Sequence, residues 1–145
     1  MQEPSIQFFN EDVRYVLKNK TEIRLWLVKC AKRNQKKIAS LNFIFCSDLF
    51  LKKINLQYLN HNYLTDIITF PTSGPGDKIV SGDIYISIDR VKENADTYGV
   101  RISDELQRVM VHGLLHLCGH KDKTSKDQLE MRKQEDASLA LLRGK

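Results

Sequence analysis

The sequence predicts an α+β fold: a small mixed four-stranded sheet packed against about five helices, with a metal site on the central helix. Three observations lead there. Strand-like and helix-like stretches alternate early in the chain, and the last three elements are consecutive helices, an order that suits a small sheet with helices laid on it. No repeat, low-complexity run or linker divides the 145 residues, so 1–145 reads as one domain long enough for a real core. Three of the four histidines fall within nine residues, His112 to His120, in and just past a helix that is apolar almost all round.

The elements follow in order. Ile6 to Phe9 is a short apolar run and the first strand, with Asn10-Glu11-Asp12 as its turn. Thr21 is placed to cap a helix running to about Asn34, with Ile23, Trp26, Leu27, Cys30 and Ala31 inside and basic residues outside. Ile38 to Cys46 alternates as a strand, Leu41, Phe43 and Phe45 on one side. Ser47-Asp48 starts a helix to about Leu59. Asp66 to Phe70 is a strand stopped by Pro71, and Thr72 to Ser81, with Gly74, Pro75 and Gly76, is a loop. Gly82 to Ile88 alternates as the fourth strand, and Asp89 to Tyr98 is a polar helix. Ser103 is placed to cap the central helix, with Asp104 and Glu105 at its positive end. Ser125 and Gln128 form a capping-box pattern for a last helix to about Leu142.

Composition narrows the function classes. Hydrophobic content of 41% and charged content of 28% suit a soluble globular protein. No apolar run approaches the ~20 residues that cross a bilayer, and the first residues lack a signal-peptide pattern. Three scattered cysteines, Cys30, Cys46 and Cys118, point to reduced thiols in a cytoplasm rather than a disulfide framework. Residues 14–37 hold nine Lys or Arg against Glu22 alone, a net +8, so the rest of the +5 chain is net −3. A basic patch this concentrated suits a phosphate-rich partner such as nucleic acid.

His112 and His116 are four apart, one helical turn on one face, a spacing that lets two imidazoles chelate one metal ion. The helix is otherwise apolar nearly all round, so the two histidines need a partner that a metal supplies. Gly113 costs about 1 kcal/mol in a helix relative to Ala, which implies close packing there. Gly119 suits a left-handed residue that ends the helix and turns the chain back. The third ligand is Asp122, just past that turn, or alternatively His120, which a continuous helix would keep near the same face. Cys118 falls on the opposite face and reads as core. Two histidines, a third ligand and one open position make the catalytic rather than the structural zinc pattern, one Zn²⁺ per chain. Such a metal gives hydroxide near neutral pH, so the reaction class is hydrolytic or phosphoryl transfer. The zinc-peptidase helix carries Glu directly after its first histidine. Here that position is Gly113, so a metalloprotease ranks second.

The stretch His112-Gly113-Leu114-Leu115-His116-Leu117-Cys118-Gly119-His120-Lys121-Asp122 resembles the His-Gly-x-Leu-His-Leu-x-Gly-Tyr-Asp-His signature of the YbeY family of bacterial metal-dependent endoribonucleases. Asn55, Tyr58, Thr65-Asp66-Ile67-Ile68-Thr69-Phe70-Pro71 and Gly82-Asp83-Ile84 are similar to further family motifs in the same order, and the likeness covers roughly residues 40–136. The resemblance implies a single-strand endoribonuclease acting in 3′-end maturation of small-subunit rRNA and in ribosome quality control. The implied catalytic and metal residues are His112, His116 and Asp122, and the implied partners are precursor rRNA, the small ribosomal subunit and its ribosomal proteins. Two positions depart from the pattern. The third family ligand, a histidine, is Asp122 here, and the family arginine after the tyrosine is Leu59. Lys52, Lys53 and His61 are candidates to replace that arginine. Its loss also supports a rival reading, a non-enzymatic ribosome-assembly factor with a structural metal.

Overall fold

The computed structural model describes residues 3–61, 65–74 and 76–143. Pro75 of the expected loop lies outside them. The elements run β1 (Ser5–Asn10), α1 (Lys20–Arg33), β2 (Lys37–Cys46), α2 (Asp48–Leu59), β3 (Ile67–Pro71), β4 (Ile79–Ser87), α3 (Ile88–Tyr98), α4 (Ile102–Leu117) and α5 (Ser125–Leu142). The sheet order is β1-β2-β4-β3. β1 and β4 run parallel to β2, and β3 runs antiparallel to β4. This is the mixed four-stranded sheet with five helices expected from the sequence.

Strand alternation sends two residue sets to opposite faces. Leu41, Phe43 and Phe45 of β2 and Ile84 and Ile86 of β4 face the main core, where they meet α1, α4 and α5. Cys46, Ile68, Phe70 and Tyr85 face the other way, under α2. The inner face of α1 is the expected one, and Trp26 Nε1 donates 2.7 Å to the buried Ser138 carbonyl, fastening α1 to α5. No described helix is long and apolar enough to cross a membrane.

Several boundaries move, each for a local reason. Thr21 does not cap α1. The helix starts at Lys20, behind Asn19, which takes a left-handed conformation. Ser103 lies inside α4, whose N-cap is Arg101. Thr124, not Ser125, caps α5 by accepting from the Asp127 amide, and Gln128 donates instead to the Asp122 carbonyl. β4 begins at Ile79 because parallel pairing with β2 reaches Lys37. It ends at Ser87, whose hydroxyl caps α3, so Ile88 is helical. Pro71 belongs to β3, an edge strand where its missing N–H is tolerated.

Candidate metal centre

α4 is buried between the sheet and the other helices, with Leu106, Met110, Val111, Leu114 and Leu115 at 1% exposure or less. A helix that is apolar all round can sit only in such a place. Gly113 lets it approach the sheet: a Cβ there would lie 2.9 Å from Ile67 Cδ1 and 3.0 Å from Ile84 Cγ2. Gly82 does the same from the strand side, against Leu117 and the Phe70 carbonyl. The depth of α4, and so the position of its histidines, is set by these two glycines.

His112 and His116 emerge together at the edge of the buried surface, ring centroids 4.8 Å apart. Gly119, at φ +106°, ends the helix. The Gly119 amide bonds the His116 carbonyl and the His120 amide bonds the Leu115 carbonyl, the paired bonds of a Schellman turn. The chain then doubles back and brings Asp122 Oδ2 to 3.4 Å from His112 Nε2 and 3.2 Å from His116 Nε2. One donor atom from each residue lies within 4.8 Å of the others, so the set could hold a metal ion. The two nitrogen–oxygen separations also suit a tetrahedral ion, since bonds of about 2.0–2.2 Å put neighbouring donors roughly 3.3–3.6 Å apart.

The outward orientation of His112 has a cause that lies outside its own helix. Glu135, on α5 and 5% exposed, places Oε2 2.6 Å from His112 Nδ1. Arg108 Nη1 donates 2.8 Å to the other oxygen of Glu135 and Nη2 donates 2.8 Å to Asp136. An ionised Glu135 accepts a hydrogen bond from Nδ1–H and leaves the Nε2 lone pair for the site. Burial alone would lower the His112 pKa. The Glu135 hydrogen bond and charge, with Asp122 and Asp66 beyond, override burial and raise it. Burial likewise pushes Glu135 up, but His112 and Arg108 pull it below the usual carboxylate range. Motif reasoning did not reach Glu135, although a helical signal was available. Met131, Glu135, Ser138 and Leu139 share the buried stripe of α5, so Glu135 is an acid that requires a partner.

The alternative third ligand, His120, lies outside the cluster. Its Nε2 is 2.7 Å from Asn34 Oδ1, which ties the turn to the C-terminal end of α1, and burial lowers its pKa. Cys118 is partly buried against the core, as expected. Lys52 and Lys53 are exposed on α2, beyond the sheet from α4. A cavity of about 290 Å³ is lined by His112, Asp122, Gln128, Met131, Arg132 and Glu135; its cation is Arg132, and Lys52, Lys53 and His61 are not among its lining residues. The basic segment is partly used for structure. Arg24 Nε donates to the Ile6 carbonyl, Arg33 to Gln134 and Lys36 to the Asp77 carbonyl.

Known proteins resemble this chain over nearly its whole length. The family model "Endoribonuclease YbeY" matches residues 6–143. A protein of that name from Cytophaga hutchinsonii is 53% identical over 141 residues, covering 97% of this chain and 98% of the relative. Another from Flavobacterium psychrophilum is 47% identical, covering 92% and 94%. A solution structure of a Thermotoga maritima protein superposes with a TM-score of 0.66 at 25% identity, covering 96% of this chain and 89% of that one. A match that runs from the first strand to the end of the last helix, at identities near one half, has one meaning: this chain belongs to the YbeY endoribonuclease family.

Proposed function

We propose that the chain is a metal-dependent endoribonuclease that cuts single-stranded RNA, with precursor rRNA of the small ribosomal subunit as its substrate. The observation that carries this reading is the convergence of His112 Nε2, His116 Nε2 and Asp122 Oδ2 in a chain of that family. Zinc, one ion per chain, suits two nitrogens and one oxygen with a fourth position left open. When bound, it would polarise a phosphodiester oxygen and acidify a water. The protein's own groups do the rest. Glu135 keeps the proton on His112 Nδ1, and the Gly119 turn delivers Asp122. Arg132 faces the adjoining cavity and offers its guanidinium to the phosphate, the part left vacant by Leu59. The basic face of α1 holds the RNA backbone, and the His120–Asn34 bond joins that helix to the metal-site turn. Three free cysteines fit a cytoplasmic protein working beside ribosomal proteins.

A peptidase reading gains nothing from the structure, because position 113 faces Ile67 and Ile84 and leaves no room for a glutamate. The test is metal content, cleavage of a single-stranded RNA and thermal melting for wild type, His116→Ala and Asp122→Ala. The expected result is about one zinc per chain in wild type, with metal and cleavage lost in both variants while the fold survives. Variants that lose the metal and unfold together would favour the assembly-factor reading.

A further inference from the structure

A second cavity, of about 150 Å³, opens beside the metal centre and is lined by Asp66, Asn94, Tyr98, Glu105, Arg132 and His112, among others. It is well below the roughly 300–1,000 Å³ of a drug-sized site. At about 30 Å³ per water it has room for a handful of waters or one planar ring system. Its most telling residue is Glu105. That side chain is 6% exposed, yet among the described residues it makes no hydrogen bond or ion pair. Neither arginine beside the cavity forms an ion pair with Glu105: Arg108 binds Glu135 and Asp136, and Arg132, which also lines the cavity, lies 3.6 Å from Glu135. The Glu105 oxygens open onto the cavity rather than onto protein donors, so water there solvates them, and a ligand carrying donors could take the place of that water. Among the described residues the acids here do not gather into a second metal-ligating set.

Position on the helix connects this cavity to the chemistry. Glu105 and His112 are seven residues apart on α4, so they share a face and are separated by about 10 Å along the axis. That is close to the reach of one nucleotide from its phosphate to the far edge of its base. Resting on the RNA-cleaving reading above, we propose that this cavity is a nucleobase subsite in which Glu105 reads guanine. Guanine alone presents two adjacent donors, N1–H and the N2 amine, aimed the same way, and a carboxylate has two acceptor oxygens to match. Adenine and cytosine set one donor beside an acceptor, and uracil flanks its one donor with acceptors. Tyr98, 62% exposed at the rim, supplies a ring for the base to stack on.

The experiment uses short single-stranded RNAs that differ at one position, guanosine, inosine or adenosine, with cleavage rates and cut positions measured for wild type, Glu105→Gln, Tyr98→Phe and Tyr98→Ala. Inosine lacks only the N2 amine. Wild type is expected to cut beside guanosine about tenfold faster than beside inosine or adenosine, a factor in keeping with the absence of one or two buried hydrogen bonds. Glu105→Gln is expected to abolish that difference, so that guanosine, inosine and adenosine substrates are cut at the same rate. Tyr98→Ala is expected to slow guanosine cleavage about tenfold, as removal of one stacking platform would, and Tyr98→Phe to leave it unchanged. These two exposed-site variants keep the test decisive if Glu105→Gln fails to fold. Wild type that cuts RNA without separating guanosine from inosine overturns the subsite alone. Wild type that cuts no RNA overturns the endoribonuclease reading and the subsite with it.

Discussion

Glu135 Oε2 stands 2.6 Å from His112 Nδ1, on the side of the ring opposite the metal-site nitrogen. The contact joins α5 to α4 across 23 residues of sequence and fixes which imidazole nitrogen faces Asp122. Removing it leaves the donors present but one of them free to turn or change tautomer. Glu135→Gln is therefore expected to weaken metal affinity by about 10–100-fold and to keep a folded protein. Competition with a chelator of known affinity measures the first, and circular dichroism the second.

Asp122→Ala and His120→Ala separate the two candidate third ligands. Asp122 Oδ2 lies within 3.4 Å of both histidine nitrogens, whereas His120 is bonded to Asn34. Elemental analysis should find the metal absent from Asp122→Ala and kept in His120→Ala. Retention in Asp122→Ala would remove the carboxylate from the ligand set.

Gly113→Ala tests the close approach of α4 to the sheet. Helix propensity alone would favour alanine by about 1 kcal/mol. The added methyl would meet Ile67 at 2.9 Å and the fully buried Ile84 at 3.0 Å, and overpacking of this kind costs typically about 1–3 kcal/mol. Urea unfolding should show a net decrease in stability. A stability gain would mean that the sheet yields easily at this point.

Acid sensitivity should originate partly outside the metal centre. Asp12 accepts from the Ser47 hydroxyl at 2.5 Å and from its amide at 2.8 Å, and the hydroxyl bond first of all holds Asp12 below the usual carboxylate range. Burial raises Asp48, but hydrogen bonds from Arg90 and Ser87 outweigh it and lower its pKa. For a carboxylate lowered in the fold, the stabilisation is present above the unfolded pKa and lost as pH falls through the folded one. Stability should thus fall below about pH 4, and Asp12→Asn should flatten that acid limb. An unchanged limb in urea titrations against pH would dismiss the Asp12 contribution.

The basic face of α1 makes a prediction about salt. Lys29→Gln and Lys32→Gln should each weaken single-stranded RNA binding. Each should also reduce the slope of log affinity against log salt by about 0.7 for every phosphate that is no longer neutralised. Slopes identical to wild type would assign these lysines to solubility alone.

Much of the fold is legible in the sequence because the signals there are local. Leu41, Phe43 and Phe45 alternate, α1 carries its apolar residues on one face, and the His112–His116 spacing with Gly119 and Asp122 already describes the turn that forms the donor set. What is not legible depends on contacts between distant segments. Thr21, Ser103 and Ser125 have the chemistry of caps, but Asn19, Arg101 and Thr124 are where the backbone leaves the helix. Glu135 and Arg132 join the site only because α5 packs beside α4. Glu105 reads as a helix-start charge, yet packing buries it in a cavity.

The order of strands also has a kinetic meaning. β4 lies beside β2, about forty residues earlier in the chain, and α4 can reach its depth only once that parallel pair exists for Gly113 to lie against. The carboxylate that orients His112 arrives later still, just past the middle of α5. A chain emerging from a ribosome therefore carries both metal-site histidines well before it has the means to aim them. Non-local pairing of this kind is slow to form, so metal capture waits until α5 has packed beside α4.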